Sequence, residues 1–329
     1  MKVGKLIPDK LNDLILNQIS SRRSDVLVHP RIGEDCAVID FGEVVCVIST
    51  DPITGASKGM GRLAVHISCN DLAANGAEPV GVQLVLLLPE DITEERIKEI
   101  MQEVDYGAAE LGIEVLGGHT EITSLVSKPI IVATAIGKAR KGQYVTSSGA
   151  KPGDDIIITK GAGIEGTAIL ANDCVEYLLS KGVKDETIKS ARKFMDEISV
   201  LKEGLLAARM GATAMHDVTE GGIYGALYEL ANASEVGFDL FADQVYIRPE
   251  TREICDALQI DPLGLISSGT MLITIPDGDK LLAALKEKGI PACKIGKITE
   301  SGQTLWVNGE KRKFVLPPRD ELWRILEEI

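Results

Sequence analysis

The chain has 329 residues, 45% of them hydrophobic, which suits two globular domains and excludes a disordered polypeptide. Lys and Arg number 35 against 49 Asp and Glu, and no basic run interrupts the net charge of −14, so nucleic acid and anionic membrane are excluded as partners. Aromatic residues are only 4%, which leaves Val, Ile, Leu and Ala to build the cores and favours mixed layers of helix and sheet.

In chain order, the start "MKVGKLIPDKL" lacks the apolar core of a secretory leader, and residues 6–23 are expected to form an amphipathic helix. "CAVID" and "VVCVIST" read as strands of a hairpin turned by Phe41, Gly42 and Glu43. A helix over 61–75 follows. Leu63, Ile67, Asp71 and Ala74 share one of its faces, so a carboxylate lies on the apolar stripe. It also lies in the last turn, where partial negative charge makes an anion unfavourable unless a cation answers it. "PVGVQLVLLLP" is a buried strand, far too short to span a bilayer. "TEERIKEIMQEVDYGAAELG" is a helix capped by Thr93 and stopped by Gly112. "IEVLGG" and "KPIIVATAIGKA" complete the order β-β-α-β-α-β-β, an α+β domain with helices on one face of its sheet.

The turn-rich "SSGAKPGDD" divides the chain into residues 1–150 and 151–329. The second half is expected to be an α/β domain with a mixed sheet. Its strands are "DIIITK", "TAMHD", "FDLFA", "GTMLITIP", "CKIGKI" and "TLWVNG". Its helices lie near 165–181, 186–196, 199–210, 221–234, 248–259 and 278–289. The six cysteines form no CxxC and have no His at zinc-ligand spacing. They read as small buried residues of a reducing compartment, which places the protein in the cytoplasm.

Acidic residues fall at predicted element ends. Glu34 and Asp35 follow Gly33 before a strand, Asp51 ends a strand, and Asp71 nears a helix end. Gly117, Gly118, His119 and Glu121 sit at another strand end. Each has an ordinary reading as a turn, cap or hydrogen-bonded residue. Carboxylates that converged would repel unless a cation joined them, and Mg²⁺ takes one or two carboxylates with phosphate and water oxygens. "TKGAGIEGTAIL" carries GxGxxG at Gly161, Gly163 and Gly166, but the helices after it leave no second parallel strand for a ribose-binding acid. Phosphate binding by exposed backbone N–H groups and a plain strand-to-helix turn both stay open. "MHDVTEGGIYGAL" places His216 and Asp217 at a strand end, and Thr219 and Glu220 before Gly221, Gly222 and a helix. It reads as a second, substrate-facing loop or as an N-cap made by Asp217 or Thr219.

In order, "GEDCAVI", "STD", "NDLAANGAEP", "LGGHTE", "HDVTEGGIYGALYELA" and "DPLGLISSG" resemble the superfamily of aminoimidazole ribonucleotide synthetase. Its relatives include selenophosphate synthetase, thiamine monophosphate kinase and a hydrogenase maturation enzyme, and the maturation branch is the most similar. The resemblance spans about residues 33–270 and implies a homodimer whose N-terminal sheets share a barrel, with ATP and Mg²⁺ in clefts at that interface. It implies transfer of the ATP γ-phosphate to an oxygen or other heteroatom of a second substrate. By this resemblance Asp35, Asp51 and Asp71 match the metal and phosphate positions, with Asn70 hydrogen-bonding nearby. Gly117, Gly118 and His119 match a strand-end motif of the cofactor site, and Gly161 and Gly163 are further candidates there. Asp71, His216 and Asp217 are the candidate catalytic residues, the latter two acting as acid and base or shaping the cleft.

The pattern also departs from its relatives. The maturation enzyme ends in Pro-Arg-Ile-Cys where this chain reads "LWRILEEI", usually has Asp at the His119 position, and has Asn-Glu-Gly where "ISSG" stands. The reactive N-terminal cysteine or selenocysteine loop of selenophosphate synthetase is missing too. The expected function is therefore ATP- and Mg²⁺-dependent activation of an amide, carboxylate or phosphate acceptor, on a small molecule or a protein. The alternatives are a non-catalytic nucleotide-binding partner in metalloenzyme assembly and a kinase of a small metabolite.

Overall fold

The computed structural model describes residues 6, 8–53 and 59–328. Residues 1–5, on which the reading of the chain's start rests in part, lie outside them. The N-terminal helix is shorter than expected. Helix α1 spans Pro8–Leu14, a 3-10 turn follows at Leu16–Gln18, and residues 19–23 are not helical. Leu14, Ile15 and Ile19 stay exposed, so the expected apolar face packs on nothing that would extend the helix.

The first sheet contains β1 (Val26–Val28), β2 (Ala37–Asp40), β3 (Val44–Ile53), β4 (Glu78–Leu88), β5 (Glu114–Ile122) and β6 (Ile130–Arg140), in the order β1-β2-β3-β6-β4-β5. The expected hairpin joins β2 and β3, and Asp40 Oδ1 accepts the Gly42 N–H at 2.9 Å. Strand β1, with only three residues, is too short to show a period and was not foreseen. Helices α2 (Met60–Ala74) and α3 (Glu94–Leu111) cover one face of this sheet, as expected. Thr93 Oγ1 accepts the Arg96 N–H at 3.2 Å, and Gly112 ends α3 in a left-handed conformation. The other face carries exposed Val80, Val85 and Leu116.

The second sheet contains β7 (Asp155–Thr159), β8 (Ala214–Val218), β9 (Gly237–Phe241), β10 (Thr270–Ile275), β11 (Ala292–Thr299), β12 (Gln303–Val307) and β13 (Glu310–Lys313). The order is β13-β12-β9-β11-β7-β10-β8, with β12 and β9 parallel and the other neighbours antiparallel, so the sheet is mixed. Around it lie α4 (Ile164–Asp173), α5 (Val175–Ser180), α6 (Asp185–Arg192), α7 (Leu201–Arg209), α8 (Gly222–Ala233), α9 (Pro249–Leu258), α10 (Gly278–Glu287) and α11 (Glu321–Leu326). The helix expected over 165–181 is two helices that meet at Cys174, whose φ of −119° is not helical. Strand β13 is charged and exposed throughout, so its composition hides it. The Asn308–Gly309 pair before it, with φ of 52° and 76°, is the two-residue hairpin signal that could have revealed it.

The two sheet layers meet through α2. Ala73 and Ala74 belong to the same apolar cluster as Met215 of β8 and Ala207 of α7. Helix α7 lies so close that a Cβ at Gly204 would meet the Ala73 carbonyl oxygen at 2.4 Å. The segment "NDLAANG" is therefore as much a packing motif as a chemical one.

Candidate active site at the domain junction

Each acidic side chain reaches the junction for a local reason. In β3 alternate residues turn inward, so Val45 and Val47 join the core and Ser49 and Asp51 follow on the same face. Asp71 comes from the facing stripe of α2, where its carboxylate is only 5% exposed. Asp35 is held by a loop that lies on α8. Gly33 makes this contact possible, because its φ is +79° and a Cβ there would meet the Glu229 carbonyl oxygen at 2.9 Å. Beside it Glu34 pairs with Arg31 at 2.6 Å and accepts the Ser147 N–H at 3.3 Å, so Glu34 fixes the loop. His216 and Asp217 rise from β8, every residue of which is buried.

The groups converge. His216 Nδ1 lies 3.2 Å from Asp35 Oδ2 and 3.9 Å from Asp217 Oδ1, and its Nε2 lies 3.1 Å from Glu229 Oε2. Burial opposes the imidazolium, but the Asp35, Asp217 and Glu229 carboxylates hold His216 well above the usual imidazole range. Ser49 donates its hydroxyl to Asp71 and contacts Asp51 Oδ2 at 3.5 Å. Burial, and then the charges of Asp217, Asp51 and Asp35, push the Asp71 carboxyl well above the usual carboxylate range. Burial and the same four aspartates push the Cys36 thiol far up, so this cysteine is inert.

This donor set fits a hard divalent cation. Ligand atoms of Asp35, His216 and Asp217 lie within 4.8 Å of one another. Both Asp217 oxygens are buried without a hydrogen-bond partner among the described residues. A cation here would answer the anion on the apolar face of α2 and relieve repulsion among the acids.

Other expected residues serve other ends. Asn70 does not face the acids: its Nδ2 donates to the Ile198 carbonyl at 2.8 Å and its Oδ1 accepts the Val200 N–H at 2.9 Å, which clamps the segment before α7. Gly117, Gly118 and His119 lie inside β5, not at its end, on the edge of the sheet away from β3. Gly118 sits at φ +149° because a Cβ would meet the Leu84 carbonyl oxygen at 1.8 Å. His119 is exposed, and its Nε2 lies 3.4 Å from Glu121 Oε2. Around Gly161 and Gly163 several N–H groups are already used. Gly161 donates to Thr159 O, Ala162 to Tyr246 O, Ile164 to Ser267 Oγ and Gly166 to Ile266 O. These bonds pack the turn between strand and helix. The N-cap of α8 is Gly221, not Asp217 or Thr219, and Asp320 Oδ2 accepts the Gly221 N–H at 2.6 Å.

Ser49, Glu229 and Asp320 were missed. Ser49 could have been found from its i, i+2 relation to Asp51 on an alternating strand. Glu229 and Asp320 reach their partners only through tertiary packing.

Residues 33–139 match the N-terminal domain, and residues 151–308 the C-terminal domain, of AIR synthase related protein. The chain is 28% identical over 284 residues to the carbamoyl dehydratase HypE of Rhizobium leguminosarum, covering 82% of this chain and 77% of that one. It is 31% identical over 282 residues to the thiamine-monophosphate kinase of Methanospirillum hungatei, covering 82% and 86%. A crystal structure of the hydrogenase maturation protein HypE in complex with ATP shares the fold, with a TM-score of 0.67 at 20% identity over 95% of this chain and 93% of that one.

Proposed function

The chain belongs to the AIR synthase related protein family, and on that premise we propose that it is an ATP- and Mg²⁺-dependent enzyme that activates an acceptor oxygen by phosphoryl transfer. The observation that carries this reading is the convergence of Asp35, Asp51, Asp71 and Asp217 from both domains, with the Asp217 oxygens buried and without a hydrogen-bond partner among the described residues. These aspartates would hold Mg²⁺, which when bound neutralises charge on the β- and γ-phosphate oxygens. Ser49 orients the Asp71 carboxylate by donating to it. His216 is a positioning residue: its ring is pinned between Asp35 and Glu229, so it fixes Asp35 and does not reach out to an acceptor.

The acceptor class is an amide, carboxylate or phosphate oxygen. The names of the two relatives favour a carbamoyl group first and a phosphorylated metabolite, as in thiamine monophosphate, second. The exposed apolar face of the first sheet supports a homodimer in which Val80, Val85 and Leu116 pack on a second copy. Gly117, Gly118 and His119 then lie at the dimer interface. Among the described residues no helix is long and apolar enough to cross a membrane, and six unpaired cysteines suit the cytoplasm.

Thermal unfolding with ATP, with Mg²⁺ and with both tests the site, because a ligand that binds only the folded state raises stability by RT ln(1 + [L]/Kd). The expected result is a rise that needs both ligands and disappears in Asp71→Asn. That variant should also melt higher than the wild type without metal, since it removes a buried carboxyl whose ionisation is opposed by burial and by the neighbouring aspartates. No rise in the wild type would overturn the reading. Binding without ADP release on any carbamoyl or phosphate acceptor would instead favour a nucleotide-binding partner in metalloenzyme assembly.

A further inference from the structure

Away from the acid site, a cleft of about 690 Å³ opens between the end of β6 with its following loop and the C-terminal end of α7. Its volume and its place between domains are those of small-molecule sites. Its charge is unusual for a chain of net −14. Lys138, Arg140 and Arg209 line it together with one acid, Glu78. Lys138 reaches that acid only at 3.8 Å. Neither the Arg140 nor the Arg209 guanidinium has a hydrogen bond or ion pair among the described residues. Tyr144, half-buried, and Gln143 add a ring wall and an amide.

Two guanidinium groups in one concave site repel each other unless an anion lies between them, and their planar donor forks match phosphate oxygens. The acid site offers the opposite chemistry, because it repels phosphate until a metal is bound. We infer that the 138–145/205–212 cleft is a second, metal-independent site for a small phosphate-bearing metabolite. An anion held there bridges β6 of the first domain and α7 of the second. Helix α7 also packs on α2, whose Gly76 at the C-terminal end would place a Cβ 2.5 Å from the Ala208 Cβ. A ligand in the cleft therefore stabilises the domain arrangement that brings the aspartates together.

Calorimetric titration of the full chain with inorganic pyrophosphate, in excess chelator so that no Mg²⁺ is present, tests the assignment. Saturable binding is expected, tighter for pyrophosphate than for inorganic phosphate. Arg140→Gln and Arg209→Gln should each weaken it about tenfold, and Arg209→Lys less. Asp71→Asn should leave it unchanged. Because neither guanidinium has a partner among the described residues, the arginine variants should melt within a degree or two of the wild type, which separates lost binding from lost folding. Absence of saturable binding, equal binding of both anions (an adventitious ion only), retention in the double Arg140→Gln/Arg209→Gln variant, or loss in Asp71→Asn would each overturn the inference. The last result would assign the anion to the acid site.

Discussion

Asn70 and Asp71 are adjacent in the sequence and act in opposite directions in the molecule. Asn70 satisfies two buried backbone groups, Ile198 O and Val200 N, on the segment that leads into α7. Asn70→Ala leaves both unsatisfied, and urea unfolding should show a loss of about 2–4 kcal/mol. A loss under 1 kcal/mol would mean that water takes over the two groups. Glu165 of α4 is a second buried acid, and Ser268 donates its N–H to it at 3.3 Å. Burial pushes its carboxyl up to about 7. A folded value above the unfolded one means that the folded state keeps a proton the unfolded state has released. Stability from this group is therefore full below the usual glutamate range and is lost as pH rises through 7. Glu165→Gln should show little change near pH 4.5 and a relative gain of about 2–3 kcal/mol by pH 8. A difference that stays constant with pH would remove Glu165 as the source. At this scale residue types were legible, but partners were not. The sequence shows that Asp71 lies on an apolar stripe; only the fold shows Ser49, Asp51 and Asp217 around it.

Helix α2 joins the two halves, and its neighbours explain its small residues. The close approach of Gly204 to the Ala73 carbonyl makes Gly204→Ala a steric test. On propensity alone this change in a helix would stabilise by up to about 1 kcal/mol. A methyl group at 2.4 Å from a backbone oxygen must instead push α7 away from α2, and a net loss of about 1–3 kcal/mol is expected in thermal or urea unfolding. A gain in stability would show that the two helices separate without penalty. Elements with a clear period were legible: the hairpin of β2 and β3, helix α3 with its Thr93 cap, and the interior strands of the second sheet. Strand β1, strand β13 and the break at Cys174 were not, because short or fully charged segments carry no periodic signal. The reading of acids at element ends was correct for Glu34 and Asp35, in the loop before β2, and for Asp71, in the last turn of α2. Asp51 lies within β3, and Gly117–His119 lie within β5.

For the whole molecule, the proposed contact between copies rests on the face of the first sheet that carries Val80, Val85 and Leu116. Val85, in β4, and His119, opposite it in β5, share that face. Val85→Asp places a charge in the proposed contact between copies. Analytical ultracentrifugation should find a dimer for the wild type and a monomer for the variant. If the interface also completes the nucleotide cleft, the variant should lose stabilisation by ATP and Mg²⁺ together. A wild type that sediments as a monomer, or a variant that stays dimeric, would remove that face as the contact.

By itself the sequence determined the layer type of each half, several of the acidic residues that converge, and the family to which the chain belongs. Those properties follow from local periodicity, residue chemistry and motif spacing. Tertiary structure decided which acids meet, because Asp35, Asp51, Asp71 and Asp217 come from a loop, a strand, a helix and a second domain. It also decided that Asn70, Gly118, Gly161 and Gly163 serve packing. A hydrogen bond or a charge contact depends on separations of a few ångströms, and those are set by how whole elements pack, which no single segment encodes.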